Sequence, residues 1–244
     1  MSFRYGWRGP NIVKDNMTLY LDASSPNSYY PLSNSTIWKD ISSNGYNASI
    51  LNGVTYNTTT KHFQLDGTNQ LIRISPGNNN LAPTTTNFTF QAWLNFGGFT
   101  GTARQIWWGH AGGGSAGFGL FLSNTNNNLV LEVFGTSGGR QQINLGSMTS
   151  YLNVWKQFTV VVTQENFKIQ FYLDNSLINT FTLSNWGVIN PIGGEAAMQI
   201  GALNTSPAIW YYNGKIGSIM IYKKALNSNE ILQNFNATKT RFGL

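Results

Sequence analysis

Apolar side chains in this chain recur at every second position. Phe88-Thr89-Phe90-Gln91-Ala92-Trp93-Leu94-Asn95-Phe96 puts Phe88, Phe90, Ala92, Leu94 and Phe96 on one face of an extended segment. Shorter runs repeat the pattern over 17–21, 46–51, 62–65, 71–74, 117–122, 129–134, 141–145, 157–163, 167–173, 177–183, 198–203 and 215–222, separated by Gly, Asn and Pro. Each such strand has one face to bury. About a dozen of them predict an all-β fold, a sandwich or a barrel. A chain of 244 residues can bury one substantial core.

Local signals refine this picture. In Phe171-Tyr172-Leu173-Asp174-Asn175-Ser176-Leu177-Ile178, the pair Asp174-Asn175 tolerates positive φ and predicts a tight hairpin turn. A single stretch, 227–235, reads as helix: Asn227 caps it, Glu230 returns the hydrogen bond, and Ile231, Leu232 and Phe235 form an apolar stripe expected on the sandwich edge. Residues 1–16 break the alternation, with Phe3, Arg4, Tyr5, Trp7 and Arg8 interleaved before Gly9-Pro10. We read 1–16 as an N-terminal arm and 17–244 as the domain. An arm this aromatic either folds back or docks on a neighbouring subunit, and the closing Arg241-Phe242-Gly243-Leu244 has the same two options.

Only 10% of residues are charged, against about 25% in an average soluble protein. Solubility therefore rests largely on Asn, Ser, Thr and Gly. The net charge is +6, but the basic residues are scattered, with Lys223-Lys224 the only adjacent pair. Nucleic-acid binding calls for a basic stripe and is not expected. The absence of cysteine rules out disulfides and thiolate metal sites. Neither a signal-peptide segment nor a membrane span is read. Asn-x-Ser/Thr triplets such as Asn47-Ala48-Ser49 are what chance produces in so Asn-rich a chain.

Candidate chemistry is sparse. The nine acidic residues are isolated from one another, a poor start for calcium, which takes six to eight oxygens; no cofactor or metal is expected, and Asp66 or Asp174 is where an ion would be sought first. His62 and His110 are the two histidines. Gly112-Gly113-Gly114 lacks the Lys-Ser/Thr ending of a phosphate loop. Adjacent tryptophans on a strand point to opposite faces, so one of Trp107 and Trp108 should enter the core while the other faces out. Together with His110 they form the first candidate contact surface, for a glycan or a subunit. Trp210, Tyr211 and Tyr212 form the second.

Six segments in order resemble concanavalin A-like, laminin G-like jelly-roll domains. They are Leu19-Tyr20-Leu21-Asp22-Ala23; Trp38-Lys39-Asp40-Ile41 through Ala48; Phe63-Gln64-Leu65-Asp66-Gly67; Phe88 through Leu94; Phe171 through Asn175; and Tyr212 through Tyr222 running into the helix. The resemblance implies a jelly-roll β-sandwich of two antiparallel sheets packed face to face, the concave one able to hold a sugar or a protein, with Asp22, Asp40, Asp66 and Asp174 architectural and Trp38 and Trp93 core. Sugar-cleaving members carry two or three alternating carboxylates where this chain has Leu129-Val130-Leu131-Glu132-Val133-Phe134, with Glu132 alone. Glycoside hydrolysis needs a pair, so no enzyme is expected.

The ends, Gly9-Pro10-Asn11-Ile12-Val13 and Phe235 through Leu244, further resemble laminin G-like proteins of tailed bacteriophages. That resemblance implies a virion structural protein, made in the host cytoplasm. It would be a capsid decoration or a fibre or spike element, acting through contacts with other virion proteins and as a homo-oligomer, for instance a trimer. The alternative is a carbohydrate-binding, lectin-like module.

Overall fold

The alternating runs become strands, and every ladder between them is antiparallel. The computed structural model describes residues 11–31, 35–74, 81, 87–97, 104–109, 117–123, 127–135, 139–183, 198–203 and 209–244. In chain order the strands are Met17–Asp22 (β1), Ile37–Trp38 (β2), Ala48–Leu51 (β3), Thr55–Asn57 (β4), His62–Asp66 (β5), Leu71–Ile74 (β6), Phe88–Phe96 (β7) and Arg104–Gly109 (β8). Then follow Phe118–Leu122 (β9), Asn128–Gly135 (β10), Gly139–Ser147 (β11), Trp155–Thr163 (β12), Lys168–Leu173 (β13), Ser176–Thr182 (β14), Met198–Ile200 (β15) and Asn213–Tyr222 (β16). One α-helix, Ser228–Thr238 (α1), and a 3₁₀ turn, Lys239–Phe242, close the chain.

The first sheet runs β14-β13-β12-β7-β16-β5-β4, with β1 also paired to β16; the second runs β11-β10-β9-β8-β15-β6-β3-β2. Long β16 serves two partners on one side, β5 along its first half and β1 along its second. Aromatic rings bridge the sheets: Phe88 of β7 lies 4.8 Å from Phe118 of β9, Phe90 lies 5.6 Å from Trp107 of β8, and Trp38 of β2 lies 4.7 Å from Phe63 of β5. These contacts define the sandwich core, in which Trp38, Trp107 and Phe118 are fully buried.

Strand β7 departs from a half-buried pattern. All nine of its residues are buried, including Thr89, Gln91, Trp93 and Asn95 on the face turned away from the core. Helix α1 covers that face, where Ile231 joins Val13, Met17, Tyr20, Val161, Tyr172, Met220 and Tyr222 in a second apolar cluster. The helix thus lies across the outer face of the first sheet, not on its edge. Polar side chains buried beneath it need partners, and the helix supplies them: Asn234 Nδ2 donates to Gln91 Oε1 at 2.9 Å, and Trp93 Nε1 donates to Thr238 Oγ1 at 2.8 Å. The expected capping box is present, with Glu230 N donating to Asn227 Oδ1 and Asn227 N to Glu230 Oε2.

Both chain ends that the structure describes fold onto this face. Val13 N donates to Asn234 Oδ1 at 2.8 Å and Ile12 packs on the same cluster, so residues 12–13 fold back onto the domain. The closing segment folds back as well. Phe242 stacks on Trp93 at 4.3 Å and packs on Trp155 at 4.7 Å, while Arg241 Nη1 donates to both oxygens of Asp22 at 2.7 Å. The approach needs glycine at 217, since a Cβ there would stand 2.5 Å from the Phe242 ring. Phe3, Arg4, Tyr5, Trp7 and Arg8 lie outside the described residues.

Candidate functional site: the outer face of the second sheet

Strand register assembles a single row across the second sheet. Opposed Cα partners run Ser49 to Arg73, Arg73 to Gln199, Gln199 to Trp108, Trp108 to Gly119, Gly119 to Glu132 and Glu132 to Gln142. Residues flanking the row members along their strands, such as Ile72 and Ile74, Met198 and Ile200, Leu131 and Val133, or Ile143, enter the core. The row therefore stands on the opposite face. It draws one residue from each of seven strands that are scattered through the chain.

Its chemistry is polar but contains a single acid. Glu132 is 2% exposed, and its Oε2 accepts from Arg140 Nε at 2.8 Å and from Gln142 Nε2 at 2.7 Å. A buried carboxylate persists only when so partnered. Gln199 is fully buried within the row. Half-buried Arg73 differs, because its Nε is shielded from solvent and has no hydrogen-bond partner among the described residues. A guanidinium keeps its charge and its fork of donors at any physiological pH, so this end of the row holds unused donor capacity. Gly119 adds no side chain between Trp108 and Glu132.

The aromatic candidates from the sequence divide between core and face. Trp107 is fully buried against Phe90 and Phe118 and cannot touch a ligand, correcting its place among the contact residues. Tyr212 is corrected likewise: it is fully buried, its hydroxyl donates to Asn95 O at 3.2 Å, and burial pushes its phenol well above the usual range. Trp210, held at φ +57°, is brought to the outer face of the second sheet, its ring 6.4 Å from that of Phe121; Tyr211 is half-buried. Trp108 enters the row by backbone register, while its side chain and His110 lie outside the described residues. Arg73, Gln199, Arg140 and Gln142 were not anticipated. A polar residue inside Leu-Ile-Arg-Ile or Met-Gln-Ile was the available signal.

The aspartates hold turns. Asp40 accepts from the amides of Tyr20, Ser42 and Tyr46 at 2.9, 2.9 and 3.0 Å, and Asp66 accepts from the Thr68 amide at 2.8 Å. Asp174 takes the Gln157 amide and the Lys156 ammonium, at a hairpin where Asp174 and Asn175 both have positive φ. Among the described residues, no group of three or more His, Asp or Glu side chains gathers to hold a metal.

This architecture has a family. Residues 65–232 match the laminin G-type model of the concanavalin A-like lectin/glucanases superfamily, and the chain belongs to that family. A search of curated protein sequences gave no match. Similar solved structures include the binding domain of Paraclostridial Mosquitocidal Protein 1 (TM-score 0.70, 19% identity over 92% of this chain and 52% of that one). Another is the ligand binding domain of botulinum neurotoxin serotype D in complex with N-acetylneuraminic acid (0.69, 16%, 93% and 52%). A third is the binding domain of botulinum neurotoxin DC in complex with rat synaptotagmin II (0.67, 18%, 92% and 52%). The chain spans about half the length of these structures, and at such identities the likeness concerns the fold.

Proposed function

We propose that this chain is a non-enzymatic saccharide-binding module whose ligand lies on the outer face of the second sheet, over the Arg73–Gln199–Glu132–Gln142 row. The observation that carries this reading is the buried, unpartnered Nε of Arg73 in a row of amide and guanidinium groups. Hydroxyl-rich ligands use such planar, bidentate groups, and a site with a free buried donor gains most from them. Family membership supports the reading, as does a structural neighbour described with a bound sialic acid. Hydrolysis is disfavoured because Glu132 faces the Gln142 amide and the Arg140 guanidinium, while glycosidases set two carboxyl groups about 5–9.5 Å apart.

A glycan array probed with the wild-type protein and with Arg73→Met tests this. We expect a defined set of hits, weakened roughly tenfold or more in the variant at unchanged melting temperature. Equal binding by both would overturn the placement. The unaltered protein should release no reducing sugar from its hits. Turnover abolished by Glu132→Gln would overturn the non-enzymatic part.

The phage-like ends favour a compatible second reading, that the module is carried on a virion as an oligomeric decoration or fibre element. Mass spectrometry of purified virions should then find the chain, and light scattering should give a multimer. Absence from virions would remove this reading.

A further inference from the structure

A separate groove lies on the first sheet, on the opposite side of the sandwich. Register sets Thr55 of β4 against Gln64 of β5, Gln64 against Lys215 of β16, Lys215 against Asn95 of β7, and Asn95 against Trp155 of β12. Phe63, Leu65 and Ile216 on the same strands enter the core, so this row faces outward. Helix α1 and the tail cover only part of that face. Their cover ends at Phe242 on Trp155, and Trp155 in turn meets the ring of His62 at 5.5 Å. Beyond it opens a groove of about 500 Å³ lined by Thr55, Asn57, Thr60, His62, Gln64 and Lys215, with Tyr56 alongside.

No lining residue is acidic. Lys215 is half-buried and forms no hydrogen bond or ion pair with the described residues, although its charge is close enough to act on His62. The neutral groups keep unused capacity. Gln64 uses its Nε2 on Leu65 O and Gly214 O, which leaves Oε1 as an acceptor; Asn57 uses its Oδ1 on the amides of Thr59 and Thr60, which leaves Nδ2 as a donor. A bare inorganic anion would satisfy the lysine but not fill the space, because a single water occupies only about 30 Å³. An uncharged ligand would leave the ammonium unpaired.

We propose that this groove is a second binding site, for an anionic saccharide whose carboxylate or sulfate meets Lys215 and whose hydroxyls meet Asn57, Gln64 and Thr55. The proposal shares with the reading above only its ligand class, since the two sites lie on different sheets. Heteronuclear NMR of the full chain with 3′-sialyllactose, a sulfated heparin disaccharide and lactose tests it. One of the two anionic sugars should shift the amides of Asn57, His62, Gln64 and Lys215 at millimolar concentration or below, with lactose roughly tenfold weaker. Which anionic sugar acts identifies the anion. Lys215→Met and Gln64→Glu should each weaken binding roughly tenfold, the second by charge repulsion at nearly constant size, while Arg73→Met should leave these shifts intact. Unmoved groove amides with both anionic sugars, equal response to lactose, or indifference to both groove variants would overturn the proposal whatever the second sheet binds.

Discussion

Arg241 and Phe242 show how much one terminal side chain can hold. Phe242 is half-buried between two tryptophans, and Arg241 bridges 219 residues of sequence to a nearly buried Asp22 that also accepts from the Tyr20 hydroxyl at 2.8 Å. Burial alone would lower the Arg241 pKa, and the Asp22 carboxylate more than offsets this, so the guanidinium keeps its charge. Phe242→Ala should cost about 1–3 kcal/mol in urea denaturation, less than a fully buried Phe because its ring is partly exposed. His62 offers a titration at the same scale. Burial, reinforced by Lys215, lowers its pKa below 6.5 against an opposing hydrogen bond from Thr60. The unfolded chain therefore binds the proton first as pH falls, so this contribution to stability is intact above 6.5 and is lost toward the lowered folded value. An NMR titration should place the His62 midpoint below 6.5, and Lys215→Met should move it upward. A midpoint at or above the ordinary value would contradict the placement of both side chains.

Among the elements, the long alternating runs were readable, since period-2 patterning over five or more residues leaves a strand little alternative. Strands β2 and β4, of two and three residues, are too short to establish a period. The hairpin at Asp174-Asn175 and the capping box of α1 were legible because each rests on neighbouring residues. Where the helix docks was not. Gln91 reads as the solvent face of β7, and only the tertiary fold shows that Asn234 arrives to satisfy it and that Thr238 meets the indole of Trp93. Asn234 also holds Val13 N and donates to the Tyr222 hydroxyl. Asn234→Leu should therefore orphan several buried groups at once and cost about 2–4 kcal/mol, at roughly 1–3 kcal/mol for each group left unsatisfied. A change below about 0.5 kcal/mol in the same denaturation measurement would show that the helix is not bound through this network.

The whole molecule uses its two sheets differently. The first carries a second layer on its outer face, the helix and both described chain ends, and the Lys215 groove opens beyond that cover. The second gathers one residue from each of seven strands into a line, five of them polar, an arrangement invisible in sequence because the contributors are separated by up to 150 residues, between Ser49 and Gln199, and meet only through register. The sequence could place Glu132 on a strand without a second carboxylate. It could not pair Glu132 with Gln142, nor align it with Arg73. Tryptophan parity was half legible: one of Trp107 and Trp108 had to enter the core, and the register decided for Trp107.

The most direct measurement is the position of a bound neutral saccharide, taken from the array and located by crystallography of its complex with the full chain. We predict density over the outer face of the second sheet, with sugar hydroxyls on Arg73 and the amide of Gln142. Density confined to any other surface, with Arg73 still unpartnered, would contradict the account.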